Sequence, residues 1–293
     1  SHSPYLLAHC AENGVVLTHL TENGRFLARI HGATTGNVLL RRTQYRWADD
    51  PARSAALASA FVVGKLHNAR YVYQRAGRDL RDETAKAGFA QMPVTLGRLI
   101  DRAAAAPDLD SLRGIEGEGG AAYWHAFDSL IARRGAGFDF GGRSRRPPLD
   151  RVNCLLSFLY TILMHDVRAA LETVGLDPYV GYLHRDRPGR ASLALDLMEE
   201  FRPWLVDRLV LTLINRGQLK ASGFRQEETG GVVMSDAARK AVLTAWQERK
   251  QETVTHPFLG EKMPVGLLWH TQALLLARHL RGDLDGYPPL LWR

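Results

Sequence analysis

Apolar residues recur at intervals of three and four from about residue 37 to the end of the chain, and this pattern most constrains the fold. The stretch that begins at Pro51 shows it clearly, and proline suits the first turn of a helix. The stretch DRVNCLLSFLYTILMHDVRAALETVG is apolar on most sides of a helix, which is typical of burial in a core. Alternating strand patterns are short and few in this part of the chain. The sequence therefore predicts a large all-α body.

Strand patterns concentrate near the N-terminus. The segments GVVLTHL and RFLARIHG are joined through Asn23-Gly24, a pair typical of hairpin turns. A short helix is predicted before them, over residues 4–12, and a second short hairpin is predicted in GFRQEETGGVVM. We therefore predict an α+β fold in which a small N-terminal β-domain precedes a large all-α domain. The predicted divisions are a remainder of the β-domain over residues 1–35, a linker helix over 36–50 and the helical domain over 51–293.

The chain is basic, with a formal net charge of +7, and only six of its 38 basic residues are lysines. The planar guanidinium of arginine suits phosphate oxygens. Three arginine clusters stand out, one early in the chain, one in a loop predicted over 135–150 and one farther along: Arg41, Arg42 and Arg46; Arg143, Arg145 and Arg146; and Arg185, Arg187 and Arg190. Exposed clusters often serve only solvation, but several of them in one basic protein favour phosphate or nucleic-acid binding.

The two cysteines, Cys10 and Cys154, lie far apart in apolar segments. This predicts two buried free thiols in a reducing cytoplasm, and no zinc-ligand spacing accompanies them. No run of 18 or more apolar residues occurs, so we expect no membrane span. The sequence also lacks the GxxxxGK[ST] phosphate loop, the GxSxG nucleophile elbow and the HExxH zinc motif.

One carboxylate falls on a predicted helix stripe in LDSLRGIEGEGGAAYWHAFDSLIARR. Glu116 lies four residues after Leu112 and seven before Tyr123, which places it on the apolar side of the predicted helix. Glu118 lies away from that side. A carboxylate that faces a core needs a partner or a bound cation. Two interpretations stay open: an ion pair with a buried arginine, or a functional site.

Three acids follow a histidine in GYLHRDRPGRASLALDLMEEFRP. A helix that starts near Ser192 would place Asp196, Glu199 and Glu200 opposite its apolar arc, so a solvated polar face is the simpler interpretation. The acids, however, repel one another without an intervening lysine, and His184 and three arginines precede them. A divalent ion would relieve this repulsion, and the arginines would position phosphates around it.

Several other polar residues allow a structural interpretation beside a functional one. Lys65 and Asn68 in KLHNARYVYQR could face DNA or form a polar helix edge. His165, on an apolar helix, is expected to be a core residue with its polar groups satisfied. Tyr123 and Tyr160 are expected to pack, with partners for their hydroxyl groups.

Four ordered motifs carry a resemblance to a known family: RGIEGEGGAAYW, RPPLDRVNCLLSFLYTIL, GYLHRDRPGRASLALDLMEEFRP and THPFLGEKMPVGLL. Together they resemble the CRISPR spacer-acquisition integrase, the larger subunit of the adaptation complex, over nearly the whole chain and most closely in its subtype I-C form. The resemblance implies a small β-domain and a larger helical catalytic domain. Family members begin with further strands before the segment that corresponds to SHSPYLLAHC, so the β-domain is expected to be incomplete here.

The resemblance also implies a metal site for Mg²⁺ or Mn²⁺. Glu116 of GIEG matches the first ligand, His184 of YLH the second and Glu199 of DLMEEFR the third, where many members have Asp. Asp196 would be a supporting acid or an alternative ligand, and Tyr123 resembles a tyrosine near the active site. Lys65 and Asn68 match a recurring Lys-x-x-Asn element.

The activity implied by the resemblance is integration of captured DNA fragments into a CRISPR array, in the cytoplasm of a prokaryote. The 3′-hydroxyl of a fragment would attack a phosphodiester at the repeat, and arginines would hold phosphates. The implied partners are double-stranded DNA (prespacer and repeat), a second copy of the chain, a small ferredoxin-like subunit that bridges two dimers, and an end-trimming nuclease. Two rival hypotheses stay open: a metal-dependent nuclease on branched DNA, and a non-catalytic DNA-binding scaffold.

Overall fold

A computed structural model describes residues 2–13, 15–21, 26–30, 32, 37–78, 83–133 and 135–292. Its N-terminal part contains helix α1 (Pro4–Glu12), whose first turn is capped by the Ser3 hydroxyl, and two antiparallel strands. Strands β1 (Leu17–Leu20) and β2 (Phe26–Ile30) confirm the predicted hairpin and pair with a bulge at His19 and Leu20. The predicted turn at Asn23-Gly24 lies outside the described residues.

Helices dominate the rest of the described chain, which confirms the predicted fold class. Their bounds are α2 (Val38–Ala48), α3 (Pro51–Arg78), α4 (Glu83–Ala104), α5 (Leu109–Ala126), α6 (Arg151–Val174), α7 (Ser192–Met198), α8 (Arg208–Asn215), α9 (Asp236–Gln251) and α10 (Leu268–Arg281). Two short antiparallel hairpins lie between them: β3 (Phe224–Gln226) with β4 (Val232–Met234), as predicted, and β5 (Thr253–Thr255) with β6 (Lys262–Pro264). The predicted boundaries between the β-domain, the linker helix and the helical domain, at residues 35 and 50, stay predictions.

Helices α3 and α6 are the central elements of the core. Helix α6 begins after Asp150, which accepts a hydrogen bond from Asn153 N, and ends at Gly175 in the left-handed conformation that glycine adopts without strain. Its length and apolar character would also suit a membrane span, but most of its apolar stretch is buried inside the protein. His165 and Cys154 are buried on it, and Cys10 is buried on α1.

The predicted loop over 135–150 is irregular, and the N-terminal end of α6 holds it in place. Asn153 is fully buried; its Nδ2 donates to Gly142 O at 2.7 Å, and its Oδ1 accepts from Arg143 Nη1 at 2.7 Å and from Ser144 N at 3.0 Å. The guanidinium of Arg143 is thereby fixed above the rings of Trp124 and Tyr160. One buried amide thus sets the path of the arginine-rich loop.

A buried carboxylate joins three helical elements behind this loop. Asp207, at the end of a π-helical turn that spans Arg202–Asp207, accepts hydrogen bonds from the hydroxyl groups of Tyr123 and Tyr160. The two tyrosines lie on α5 and α6, and both are buried, as predicted. Burial raises the pKa of Asp207 to about 6, although the two hydroxyl donors oppose the rise. The carboxylate therefore links the helices but is costly to ionise.

The C-terminal segment packs against the middle of α3 through a second buried amide. Asn68 Nδ2 donates to Glu200 O and to Leu290 O, both at 2.7 Å, and its Oδ1 accepts from Trp292 N at 2.9 Å. Gly64 permits this close approach, since a Cβ atom there would lie 3.2 Å from Glu200 Cβ. The interpretation of Asn68 as a DNA contact is wrong for this structure, because the side chain is fully buried and both ends of its amide are engaged.

We expect Asn68→Ala to lower the free energy of unfolding by about 3 kcal/mol, because three buried backbone groups would lose their partner. Urea denaturation monitored by circular dichroism measures the change. Asn13→Ala, at the exposed position that follows helix α1, removes only an exposed hydrogen bond to His9 O; it is the control and should cost less than about 1 kcal/mol. Equal losses in the two variants would contradict the structural role of Asn68.

We expect the stability difference between Asp207→Asn and the wild type to depend on pH. The pKa of the folded carboxyl is raised from 3.8 to about 6, so its contribution to stability is fully present below pH 3.8 and is lost as pH rises through about 6. Asparagine does not titrate, so the difference should move by about 2 to 3 kcal/mol in favour of the variant between pH 4 and pH 8. Urea denaturation of the variant and of the wild type at both pH values checks this, and an unchanged difference between them would contradict the raised pKa of Asp207.

Candidate active site

A cavity of about 300 Å³ opens between α3, α5, the 135–150 loop and the chain around α7. Its polar and charged lining residues come from all of these elements: Lys65, Glu116, Tyr123, Arg143, Arg145, Tyr160, His184, Arg190, Glu199, Arg202 and Asp207. It therefore brings together the three side chains that the resemblance implies as metal ligands, although they are separated by 68 and 15 residues along the chain.

Glu116 reaches the cavity from α5. The apolar stripe of this helix is buried at Leu112, Gly119 and Tyr123, as predicted, and Glu116 lies half-buried at its margin. The partner of Glu116 is Lys65 on α3, whose Nζ contacts Glu116 Oε1, and not the arginine that the structural interpretation required. Glu118 points away from the cavity and pairs with Arg102 at 2.8 Å.

His184 is held by a buried acid. Asp196 is fully buried; its Oδ2 accepts from the backbone N–H groups of Tyr182 and Leu183, and its Oδ1 accepts from His184 N at 3.0 Å. His184 Nδ1 lies 2.6 Å from the same Oδ1, so it carries the proton and leaves Nε2 with a lone pair. Gly181 lets the loop pass this closely, because a Cβ atom there would lie 2.7 Å from Asp196 Oδ2.

Glu199 lies one residue beyond α7 and faces the same cavity. Its Oε1 is 3.9 Å from His184 Nε2 and 3.4 Å from Arg202 Nε, and its Oε2 is 2.8 Å from Lys65 Nζ. Burial alone would raise the pKa of Glu199, but the charges of Arg202 and Lys65 outweigh it and lower the pKa to about 2. The carboxylate is therefore ionised at neutral pH despite its burial.

The expectation of a solvated acidic face on this helix is wrong. Asp196, Glu199 and Glu200 are all buried, although they lie opposite the apolar arc that the sequence pattern defines. Each acid has its own set of partners, and Glu200 accepts from Gln272 Nε2, Tyr287 OH and Leu290 N. Because α7 is enclosed on several sides, its polar arc faces protein interior rather than water.

The arginines predicted to bind DNA divide into interior and surface residues. Arg143 is half-buried, and its guanidinium donates to Asn153 and Ser157, so it shapes the cavity wall. Arg145 is exposed at the cavity and Arg190 lines it half-buried. The other three are exposed, and one of them pairs with Asp110: Arg146, Arg185 and Arg187. The surface set remains available for phosphate contacts.

Three cavity residues were not assigned to this site from the sequence. Lys65 was expected at a DNA-facing or polar helix edge, but its side chain is 17% exposed and lies between two carboxylates. Arg202 follows Glu199 at a spacing of three, the spacing at which side chains on a helix meet, so this pairing could have been found. Asp207 lies in an apolar stretch, and no local pattern reveals its two tyrosine partners.

The donor set fits a hard divalent cation. Two carboxylates and one imidazole nitrogen with a free lone pair face one cavity, and among the described residues Glu199 Oε2 has an ion-pair contact but no hydrogen bond of good geometry. Within the described ranges, however, no group of three His, Cys, Asp or Glu side chains is close enough to hold an ion as the structure stands. Lys65 Nζ lies between Glu116 and Glu199, where a cation would be needed.

Comparisons with known proteins identify the family of the chain. The family model described as CRISPR associated protein Cas1 matches residues 1–248. A protein of Chlorobaculum tepidum named CRISPR-associated endonuclease Cas1 1 is 57% identical over 293 residues, which cover all of this chain and 85% of that protein. A casposase bound to an integration product shares the fold, with a TM-score of 0.83 and 20% identity over 98% of this chain and 78% of that one.

A chain in the solved structure of a partial Cas6-RT-Cas1–Cas2 complex has a TM-score of 0.75 and 25% identity, over 99% of this chain and 84% of that one. The resemblance seen in the four sequence motifs is thereby confirmed, while the subtype stays a prediction. This chain belongs to the Cas1 family of CRISPR-associated proteins.

Proposed function

We propose that the protein is a DNA integrase that inserts captured fragments into a CRISPR array. In this reaction the 3′-hydroxyl of a fragment attacks a phosphodiester at the repeat, a new P–O bond forms, and the displaced 3′-oxygen of the repeat strand leaves. The observation that supports this most is the convergence of Glu116, His184 and Glu199 on one cavity bordered by arginines.

Glu116, Glu199 and Nε2 of His184 would hold Mg²⁺ or Mn²⁺. When bound, such an ion polarises a phosphoryl oxygen and stabilises the charge that develops on it. The role of Asp196 in this proposal is that of a positioning acid, because both of its oxygens are engaged by the loop and by His184. It keeps the imidazole in the tautomer that a metal ligand requires.

Cationic side chains at the cavity would bind the DNA backbone. Arg145 and Arg190 lie at the cavity, and Arg185 and Arg187 extend from the same loop as His184. Arg202 has its guanidinium 4.9 Å from the ring centre of Tyr160, and its Nε lies 3.4 Å from Glu199 Oε1. Contacts of this kind fix the position of a phosphate but carry little base information.

The proposed partners are double-stranded DNA, a second copy of the chain and a small ferredoxin-like subunit that bridges two dimers. The partial Cas6-RT-Cas1–Cas2 complex, whose name joins a Cas1 part to Cas2, supports a two-component arrangement. A nuclease that trims fragment ends stays a prediction.

A hydrolytic nuclease for branched DNA would use the same ligands with water in place of the sugar hydroxyl. A non-catalytic scaffold would need only the surface arginines. The two rivals differ from the integrase in their products, since only integration joins a 3′-hydroxyl end to a repeat strand.

We expect Glu116→Ala, His184→Ala and Glu199→Ala each to lower the rate of strand joining by at least about a hundredfold, and EDTA to abolish it in the wild type. The measurement is an integration assay with a 3′-hydroxyl fragment and repeat-containing duplex DNA, with the small partner subunit present. Glu118→Ala is the matched control, because this acid lies two residues from Glu116 but faces away from the cavity.

Joined product at wild-type rates from all three variants would reject the proposed site and favour the scaffold. Cleaved strands without joined product in the wild type would favour the hydrolytic nuclease. Circular dichroism of each variant ensures that a loss of activity is not a loss of folding.

We expect Asp196→Asn to lower strand joining roughly 10- to 100-fold, because an amide nitrogen opposite His184 Nδ1 favours the proton on Nε2. That tautomer has no lone pair for a metal. The Mn²⁺ affinity of the variant, measured by calorimetry, should fall in parallel with the rate. A variant that keeps its thermal stability, its Mn²⁺ affinity and its rate would show that Asp196 does not set the tautomer.

A further inference from the structure

We propose that Lys65 is a cation placeholder: its ammonium group occupies the metal position in the metal-free protein and must leave when a divalent ion binds. This inference rests on the proposed function, because it concerns the same acid cluster. In this proposal Lys65 competes with the metal ion for the two carboxylates and is not primarily a DNA contact.

The geometry around Lys65 is that of a cation bound by two carboxylates. Its Nζ contacts Glu116 Oε1 and lies 2.8 Å from Glu199 Oε2, while the side chain is 17% exposed. Because α3 carries Lys65, and the two acids come from α5 and from the chain after α7, the ammonium joins three separate elements. Without a cation at this point, the buried carboxylate of Glu199 would face that of Glu116 uncompensated.

The charge balance explains why the ammonium and the ion would compete. Glu116 and Glu199 supply two negative charges, and Lys65 and Arg202 supply two positive ones, so these four side chains sum to zero, while the carboxylate of Asp196 is engaged by backbone N–H groups and His184. A divalent ion added to this neutral cluster would meet two cations in a partly dehydrated cavity. Removal of Lys65 from between the carboxylates frees their oxygens for the ion.

The cavity has room for the displaced side chain of Lys65. Four methylene groups allow the ammonium to swing, and the cavity beside it measures about 300 Å³. A phosphodiester in that cavity would bring a negative charge to both the ion and the released ammonium. Metal binding and DNA binding should therefore assist each other, which makes the loaded site depend on the presence of DNA.

Titration of the metal-free protein with Mn²⁺ by calorimetry tests this inference. Lys65→Met keeps the apolar stem and removes the charge, so we expect it to bind Mn²⁺ roughly tenfold more tightly than the wild type, or better, without DNA. Addition of a duplex oligonucleotide should tighten Mn²⁺ binding more in the wild type than in Lys65→Met. The matched control is Lys250→Met, which breaks a similarly half-buried pair with Asp166 away from the cavity.

Thermal unfolding gives a second readout that does not depend on activity. The metal-free Lys65→Met variant should melt below the wild type, because its carboxylates are left uncompensated, and Mn²⁺ should raise its melting temperature by more than it raises that of the wild type. If Lys65→Met does not fold, Lys65→Gln, which keeps a hydrogen-bond donor without the charge, is used in the same titration.

The outcomes separate this inference from the proposed function. If the wild type binds Mn²⁺ and Lys65→Met binds it equally or more weakly, Lys65 is not a placeholder, while the metal site stands. If neither protein binds Mn²⁺ with or without DNA, the metal site itself is rejected, and the placeholder with it.

Discussion

The buried carboxylate of Asp196 is the interaction on which the candidate site depends. It accepts hydrogen bonds from three backbone N–H groups and one imidazole N–H of a loop without regular secondary structure. A single side chain therefore fixes the conformation of the segment that carries His184. Neighbouring helices add to this anchor, since Arg113 on α5 donates to Leu183 O at 2.8 Å. The imidazole is thereby directed toward Glu199 before any ion or DNA arrives, which is the kind of preorganisation that phosphoryl transfer needs.

Charge compensation is the second constraint. The cavity holds carboxylates whose pKa burial alone would raise, and the cations of Lys65 and Arg202 keep Glu199 ionised. Asp207, on the far wall, has hydroxyl donors as its direct partners where Glu199 has cations, and its pKa is raised. The two acids in this one cavity thus have pKa values that shift in opposite directions. The difference follows from the side chains that contact each carboxylate.

Periodicity predicted the helical body, the first two hairpins and the buried cysteines, because these features depend on spacing within one segment. It failed at α7, where the acids lie on a polar arc that other helices cover, since burial there depends on elements distant in sequence. It failed likewise for Asn68, whose partners Glu200 and Trp292 lie more than a hundred residues away. The three implied ligands came from motif resemblance; spacing alone left Glu116 undecided between an ion pair and a functional role.

The buried amide of Asn68 has a practical consequence. The final residues of the described chain are part of the support beneath Glu199, since Leu290 N donates to the carboxylate of Glu200 and Trp292 N to Asn68. A protein preparation from which proteases had removed these last residues would lose the hydrogen bonds that support the acid cluster. Its sequence would still contain every residue that lines the cavity. An intact mass is therefore as informative about the quality of a sample as an unaltered sequence around the cavity.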